Sequence, residues 1–152
     1  MSDLLAYFLT WTTYGTWLPG DERGWVHHGE GGILPGDPDR VARAEKLMAS
    51  APIRLSDQQR KTVSETIRQS CLAKGWEVHA LSVLSNHVHI VVAGCDETPE
   101  KAMSFLKAWS SRKLNNVFPA GTGRRWWTRH GSTRYIKSDV SLNKAIEYVN
   151  NQ

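Results

Sequence analysis

The chain has 152 residues, 40% of them hydrophobic, and a formal net charge of +4. This is enough for one domain with its own core, and no apolar run reaches the roughly 20 residues of a membrane span. The two cysteines lack metal-ligand spacing, and no basic leader opens the chain. We therefore expect a cytoplasmic protein with free thiols and no membrane partner.

The first part of the chain predicts one strand followed by a long loop. Residues 6–13 are rich in aromatic and β-branched side chains, which is typical of a strand. Glycine and proline are frequent after it, so we interpret residues 19–55 as a loop insertion in a single domain that spans residues 1–152. A short helix over 38–49 is expected within this insertion.

A helix and two strands are predicted next. The capping box at Ser56 and an apolar side chain at every fourth position predict a helix over 57–74, ended by Gly75. Residues 76–83 and 87–93 read as two strands joined by a very short link. They are expected to be neighbouring antiparallel strands.

The last third of the chain predicts a second helix from Pro99, two short extended segments (125–128 and 134–137) around a turn at Gly131, and a final helix from Ser138. The predicted core stripe of the second helix consists of Ala102, Phe105, Leu106 and Trp109. That of the final helix consists of Leu142, Ala145, Ile146 and Val149.

The order strand, helix, strand, strand, helix, strand predicts an α+β ferredoxin-like sandwich. In that fold two helices cover one face of an antiparallel sheet. We expect the final helix in addition, and we expect the other sheet face to be left free for a site or for a partner subunit.

Two histidines lie one residue apart on the third predicted strand. Side chains alternate between the faces of a strand, so His87 and His89 should point to the same side, about 7 Å apart along the backbone. Two such imidazoles form half of a divalent-metal site, although surface or core histidines are the more common interpretation of each alone. The intervening Val88 should point into the core.

Positive charge is concentrated in the second part of the chain. Residues 101–152 carry 10 Lys and Arg against 2 Asp and Glu, and aromatic side chains lie between the cations. Such a surface favours a groove for single-stranded nucleic acid, with a solvated basic face as the alternative. The candidate DNA-binding residues are Lys107, Arg112, Arg124, Arg125, Trp126, Trp127, Arg129 and Arg134.

The final helix carries a candidate nucleophile. Tyr148 and Gln152 are four residues apart and flank the core stripe. A phenol can attack a phosphodiester when a cation neutralises the growing charge, and a glutamine one turn later could add a third metal ligand. Tyr135 is a rival nucleophile, but it lies on a predicted strand without a following amide.

These features together resemble the single-tyrosine HUH transposases of small bacterial insertion sequences, including the REP-associated tyrosine transposases. The resemblance spans nearly the whole chain and includes the segment 10–18, the Ser85-Asn86-His87-Val88-His89 signature and the run 127–135. In REP-associated members the tyrosine usually begins a Tyr-x-x-x-Asn-Pro pattern, whereas this chain has Tyr148-Val149-Asn150-Asn151-Gln152.

The resemblance implies a role for each candidate residue. His87, His89 and Gln152 would match the ligands of Mg²⁺ or Mn²⁺, and Tyr148 would match the nucleophile. Such proteins are ferredoxin-like homodimers that cut and rejoin single-stranded DNA beside hairpins through a 5′-phosphotyrosine bond. Two alternatives stay open, namely a domesticated relative that only binds hairpin nucleic acid, and a metal-dependent phosphoesterase that uses water.

Overall fold

A computed structural model of the chain describes residues 4–15, 38–39, 52–119 and 125–152. Within these ranges the elements are β1 (Ala6–Thr13), α1 (Asp57–Lys74), β2 (Glu77–Val83), β3 (His87–Ala93), α2 (Pro99–Val117), β4 (Trp127–Ile136) and α3 (Asp139–Asn150). The strands pair antiparallel in the order β2–β3–β1–β4. This topology confirms the predicted ferredoxin-like α+β fold.

Local sequence signals set the ends of the helices. The Ser56 hydroxyl accepts the Gln59 backbone N–H, and the Gln59 side chain accepts the Ser56 N–H, which completes the capping box of α1. Gly75 ends α1 in the left-handed conformation, with φ of 75°. Thr98 and Ser138 cap α2 and α3. The predicted starts of all three helices are confirmed.

The sheet has two differently covered faces. α1 and α2 pack on one, which we call the helix-covered face, through buried residues such as Ile67 and Leu106 against Leu9 and Ile90. The opposite face carries His87 and His89, and we call it the histidine face. The expectation that this face is left free is wrong, because α3 packs on one end of it. The contact consists of Val149, Leu142, Ala145 and Ile146 against Ala6, Ala80, Val91 and Ile136.

β4 corrects a second expectation. It is one continuous strand through Gly131, so the two predicted segments around a turn at that glycine are wrong. The glycine is needed for a different reason. A Cβ at position 131 would lie 2.5 Å from the Thr10 carbonyl oxygen and 2.7 Å from Met103 Sδ, because α2 crosses β4 there. Close packing of backbone against a helix therefore explains this glycine.

Two further expectations concern α2 and the insertion. Trp109 is 45% exposed, so it does not belong to the core stripe of α2, whereas Ala102 and Leu106 are fully buried there. Most of the 19–55 insertion and of the helix expected over 38–49 lies outside the described residues. None of the helices in the described ranges is long and apolar enough to cross a membrane.

Candidate functional site

β3 places the two histidines side by side on the histidine face. In the pairing of β3 with β1, His87 lies opposite Thr12 and His89 lies opposite Thr10. Their ring centroids are 4.7 Å apart. Val88, between them, is fully buried in the helix-covered core. The predicted alternation along this strand is therefore confirmed, since both imidazoles share one face.

Both imidazoles are held through the same ring nitrogen. His87 Nδ1 lies 2.6 Å from Asn86 Oδ1, and His89 Nδ1 lies 2.8 Å from Thr10 Oγ1. An amide oxygen only accepts, so the proton of His87 is on Nδ1. Thr10 can accept from His89 in the same way. This tautomer presents Nε2 as the basic nitrogen, and it is how metal-binding histidines are usually oriented.

Burial keeps His89 neutral. Its side chain is only 6% exposed and packs edge-on against Phe8, with ring centroids 5.8 Å apart. Desolvation, and secondarily the neighbouring His87, lowers the pKa of His89 from 6.5 to about 4. The neutral imidazole is the form that binds a metal ion, so His89 is ready to act as a ligand at neutral pH.

α3 brings the tyrosine to the histidine pair within the same chain. The Tyr148 ring lies 5.4 Å from the ring of His89 and 6.1 Å from that of Phe8. The next residue, Val149, is 1% exposed and fixes this turn of the helix on the sheet, while Tyr148 is 51% exposed. An accessible phenol therefore stands beside two oriented imidazoles.

Hydroxyl groups continue the histidine face from β3 towards β4. Thr10 pairs with Ser132, and the Thr12 and Thr128 hydroxyl oxygens are 2.9 Å apart. We call Thr10, Thr12, Thr128 and Ser132 the hydroxyl patch. These side chains cannot form a core, and they are typical of a surface that contacts a polar ligand such as a phosphodiester backbone.

Comparison with known families settles the relationship of the chain. The sequence model described as "Transposase IS200 like" matches residues 52–152, which is well over half of the chain. The chain belongs to the IS200-like transposase family. The matched range contains both histidines of β3 and the tyrosine of α3. Comparison with curated proteins found no significant match.

Solved structures share the fold of this IS200-like transposase. One is a candidate transposase from Deinococcus radiodurans R1, with a TM-score of 0.53, 18% identity and coverage of 98% of this chain and 91% of that one. Another is a REP-associated tyrosine transposase bound to a REP hairpin, with a TM-score of 0.53 and 11% identity. That alignment covers 95% of this chain but only 64% of the other chain.

The residues at hand fit a divalent cation in part. His89 is neutral, and both imidazoles are oriented so that Nε2 can bind a metal ion. In the described ranges, however, no three His, Cys, Asp or Glu side chains come together to hold a metal ion. A third protein ligand would have to be of another type. The Gln152 amide nitrogen donates to the Tyr148 carbonyl at 3.0 Å, which places the side chain at the end of α3. Its role as a ligand stays a prediction.

Tyr135 is on the wrong side of the sheet to compete with Tyr148. It pairs with Tyr7 of β1, and the two rings meet edge-on with centroids 5.6 Å apart on the helix-covered face. The sheet therefore separates Tyr135 from His87 and His89.

The predicted DNA-binding residues are distributed over several surfaces. Arg134 lies opposite Phe8 and so belongs to the histidine face. Arg125 and Arg129 are exposed near the start of β4, and Arg112 is exposed on α2 with its guanidinium over the Trp109 ring. Arg124 lies outside the described residues. The linear basic segment is thus not a single patch.

Three of the predicted DNA-binding side chains are structural in this conformation. Trp126 and Trp127 are 3% and 5% exposed, and their indole N–H groups donate to Asn115 Oδ1 and the Lys107 carbonyl. The Lys107 ammonium donates to the Thr128 carbonyl at 2.7 Å, which ties α2 to β4. Both tryptophan rings are therefore packed in the core in this conformation and are not open for stacking on a base, although they lie in a basic segment.

The sequence interpretation missed the residues that orient the histidines. Asn86 was visible as the neighbour of His87, and a side-chain amide there is a usable signal. Thr10 lies 79 positions before His89 and becomes a candidate only when the register of β1 on β3 is known. Phe8, which packs on both His89 and Tyr148, is hidden in the same way.

Proposed function

We propose that this IS200-like transposase cleaves and rejoins single-stranded DNA beside hairpins through a covalent 5′-phosphotyrosine intermediate at Tyr148. The observation that carries the proposal is the 5.4 Å approach of the Tyr148 ring to His89 within one chain. A family of transposases supplies the class of reaction. The solved transposase bound to a REP hairpin supports a hairpin as the DNA partner.

His87 and His89, with Gln152 as the third candidate, would hold the divalent cation. When bound, the cation would neutralise the charge that grows on the phosphate oxygens and would help to orient the scissile phosphate. Imidazole nitrogen suits transition-metal ions better than it suits Mg²⁺, so we place Mn²⁺ ahead of Mg²⁺ at this site. Asn86 and Thr10 keep the two rings in the tautomer that such binding requires.

The chain's own groups account for the bond changes. The Tyr148 oxygen attacks the phosphorus atom and loses its proton to solvent, while the bond from phosphorus to the 3′ oxygen breaks and that oxygen takes up a proton. The products are a tyrosine joined to the 5′ side of the cut and a free 3′-hydroxyl. Attack by a 3′-hydroxyl on this linkage reverses the bond changes and rejoins DNA.

The histidine face would position the strand for this reaction. The hydroxyl patch can donate to phosphate oxygens, and Arg134, on the same face, can pair with one of them. A homodimer, on the strength of the resemblance, and a cytoplasmic location, as expected from the sequence, belong to the same proposal.

A covalent adduct is the decisive test. The protein is incubated with labelled single-stranded oligonucleotides that carry a hairpin and its flanking sequence, with Mn²⁺, and separated under denaturing conditions. The wild type should form a labelled adduct, and Tyr148→Phe should form none. Tyr135→Phe is the matched control, because it removes the phenol of the opposite face and should leave the adduct intact.

Other outcomes assign the alternatives. Cutting without an adduct would identify a phosphoesterase that uses water, and hairpin binding without cutting would identify a domesticated relative. An adduct that persists in Tyr148→Phe would refute the nucleophile. The double variant His87→Ala with His89→Ala should lose cutting and keep hairpin binding.

A further inference from the structure

The outer side of the helix layer contains a groove that the proposed reaction does not use. It lies between α1 and α2, has a volume of about 500 Å³, and is far from the histidine face because the sheet lies between them. Its size is in the range of ligand-binding clefts. Half of Trp109, the largest side chain lining it, is open to solvent.

Two side chains that line the groove, Phe105 and Trp109, belong to a row of three aromatic rings, which we call the aromatic ladder. Trp76 meets Phe105 edge-on at 5.5 Å between centroids, and Phe105 meets Trp109 at 6.3 Å. Trp76 is buried, Phe105 is partly buried and Trp109 is exposed, so the ladder runs from the core to the surface. An indole at the open end of such a ladder is held rigidly enough to serve as a stacking platform.

Cations border the same rings. The Arg112 guanidinium lies 4.8 Å from the centre of the Trp109 ring, and Lys74 Nζ lies 4.8 Å from that of Phe105. Lys113 adds a third positive charge, and the described residues that line the groove include no carboxylate. An acidic partner is therefore favoured over a neutral or basic one.

We propose that this groove binds unpaired nucleotides of single-stranded DNA, with a base stacked on the Trp109–Arg112 pair and phosphates held by Arg112 and Lys113. An exposed indole beside a guanidinium accepts any base, and adjacent cations follow the phosphate backbone. The proposal rests on the proposed function in one respect, namely that the substrate is single-stranded DNA.

An acidic protein segment would also match the charge, but it would make no use of an exposed indole covered by a guanidinium. The flat, charged stack is the recognition element expected for a nucleobase. A second copy of the chain is disfavoured as well, since the groove would then bring its three cations close to the same cations of its partner.

The test measures binding of fluorescein-labelled thymidine 20-mer by anisotropy over a series of salt concentrations, without divalent metal. Trp109→Ala should weaken binding about tenfold and leave the salt dependence unchanged, because a stacking contact releases no counterions. Trp109→Phe should restore most of the affinity. The double variant Arg112→Gln with Lys113→Gln should lower the slope of log K against log salt by about 1.4, for two lost phosphate contacts.

Two control variants lie outside the groove. Leu72→Ala removes an exposed apolar side chain from α1, and Arg68→Gln removes one exposed charge from the same helix. Neither should change affinity by more than about twofold. Circular dichroism of Trp109→Ala checks that the fold is retained, and the charge variants keep the proposal testable if it is not.

Several results would overturn the proposal. Wild-type affinity in Trp109→Ala would exclude stacking of a base on Trp109. Equal effects of Arg68→Gln and the double variant would mean that DNA binding depends on general positive charge and not on the groove. Loss of self-association in Trp109→Ala, with unchanged binding of the 20-mer, would assign the groove to an interface between copies. The 20-mer assay contains no divalent metal and measures no cutting, so a failure of the nucleophile and a failure of the groove remain distinguishable.

Discussion

The hydrogen bond between His89 Nδ1 and the Thr10 hydroxyl makes a sharp prediction about metal binding. Thr10→Val keeps the shape of the side chain but replaces the hydroxyl with a methyl group. His89 is 6% exposed, and its Nδ1 lies 2.8 Å from the Thr10 hydroxyl, so the ring would lose a partner that water replaces poorly. The proton is then expected to move to Nε2, which removes the lone pair that a metal ion needs.

The size of the effect follows from these contacts. An unsatisfied buried donor costs about 1–3 kcal/mol, and loss of a partner that orients a metal-binding histidine typically costs 10- to 100-fold in metal affinity. The two ranges agree, since a tenfold change corresponds to about 1.4 kcal/mol. We therefore expect Thr10→Val to bind Mn²⁺ about 10- to 100-fold more weakly than the wild type.

Two measurements check this prediction. Calorimetry gives the Mn²⁺ affinity, and ¹⁵N NMR of the imidazoles reports the tautomer of His89 directly. Thr10→Ser should restore both. Thr12→Val is the matched control, because its hydroxyl is bonded to Thr128 on the same sheet face and not to a histidine. Unchanged Mn²⁺ affinity together with an unchanged tautomer in Thr10→Val would refute the reasoning.

Two further predictions concern stability. Gly131→Ala should lower the free energy of unfolding by about 3 kcal/mol, because the new Cβ meets the Thr10 carbonyl at 2.5 Å. The control Gly75→Ala has open space around it and should cost only about 1 kcal/mol, for its φ of 75°. Equal losses of unfolding free energy in urea titrations would argue against crowding at position 131. Burial, and secondarily Arg125, lowers the pKa of Lys107 from 10.5 to about 8. The unfolded chain therefore binds more protons between pH 8 and 10.5, so the stability of the wild type should rise relative to Lys107→Met across that window and stay level below it. Parallel pH profiles of the two proteins would contradict this sign.

Local signals were sufficient where the structure depends on neighbouring residues. The bounds of α1 follow from Ser56 and Gly75, and those of β3 from an apolar segment that begins after a very short link. The common face of His87 and His89 follows from the same alternation. These features require only the capping groups and the period of the backbone, which are written in a few consecutive residues.

Long-range packing decided the features that the sequence could not predict. Gly131 looks like a turn residue, but it is required by Met103 of α2 and by the Thr10 carbonyl, which are distant in the chain. Trp127 and Trp109 are both aromatic residues of a basic segment, yet the first is buried and the second is half exposed. The composition of a segment does not predict which of its aromatic side chains are buried, because burial depends on which other elements pack against each of them.

The two proposed DNA contacts together constrain the path of the strand. The groove and the histidine pair lie on opposite sides of the sheet, so a strand that touches both and crosses at a sheet edge passes either β2 or β4. The β2 edge exposes the carboxylate of Glu77, whereas β4 exposes Arg129 and Arg134. A phosphodiester backbone is repelled by the first edge and attracted by the second. If both contacts are made, we expect Arg129 and Arg134 of β4 to lead the strand from the helix layer to Tyr148.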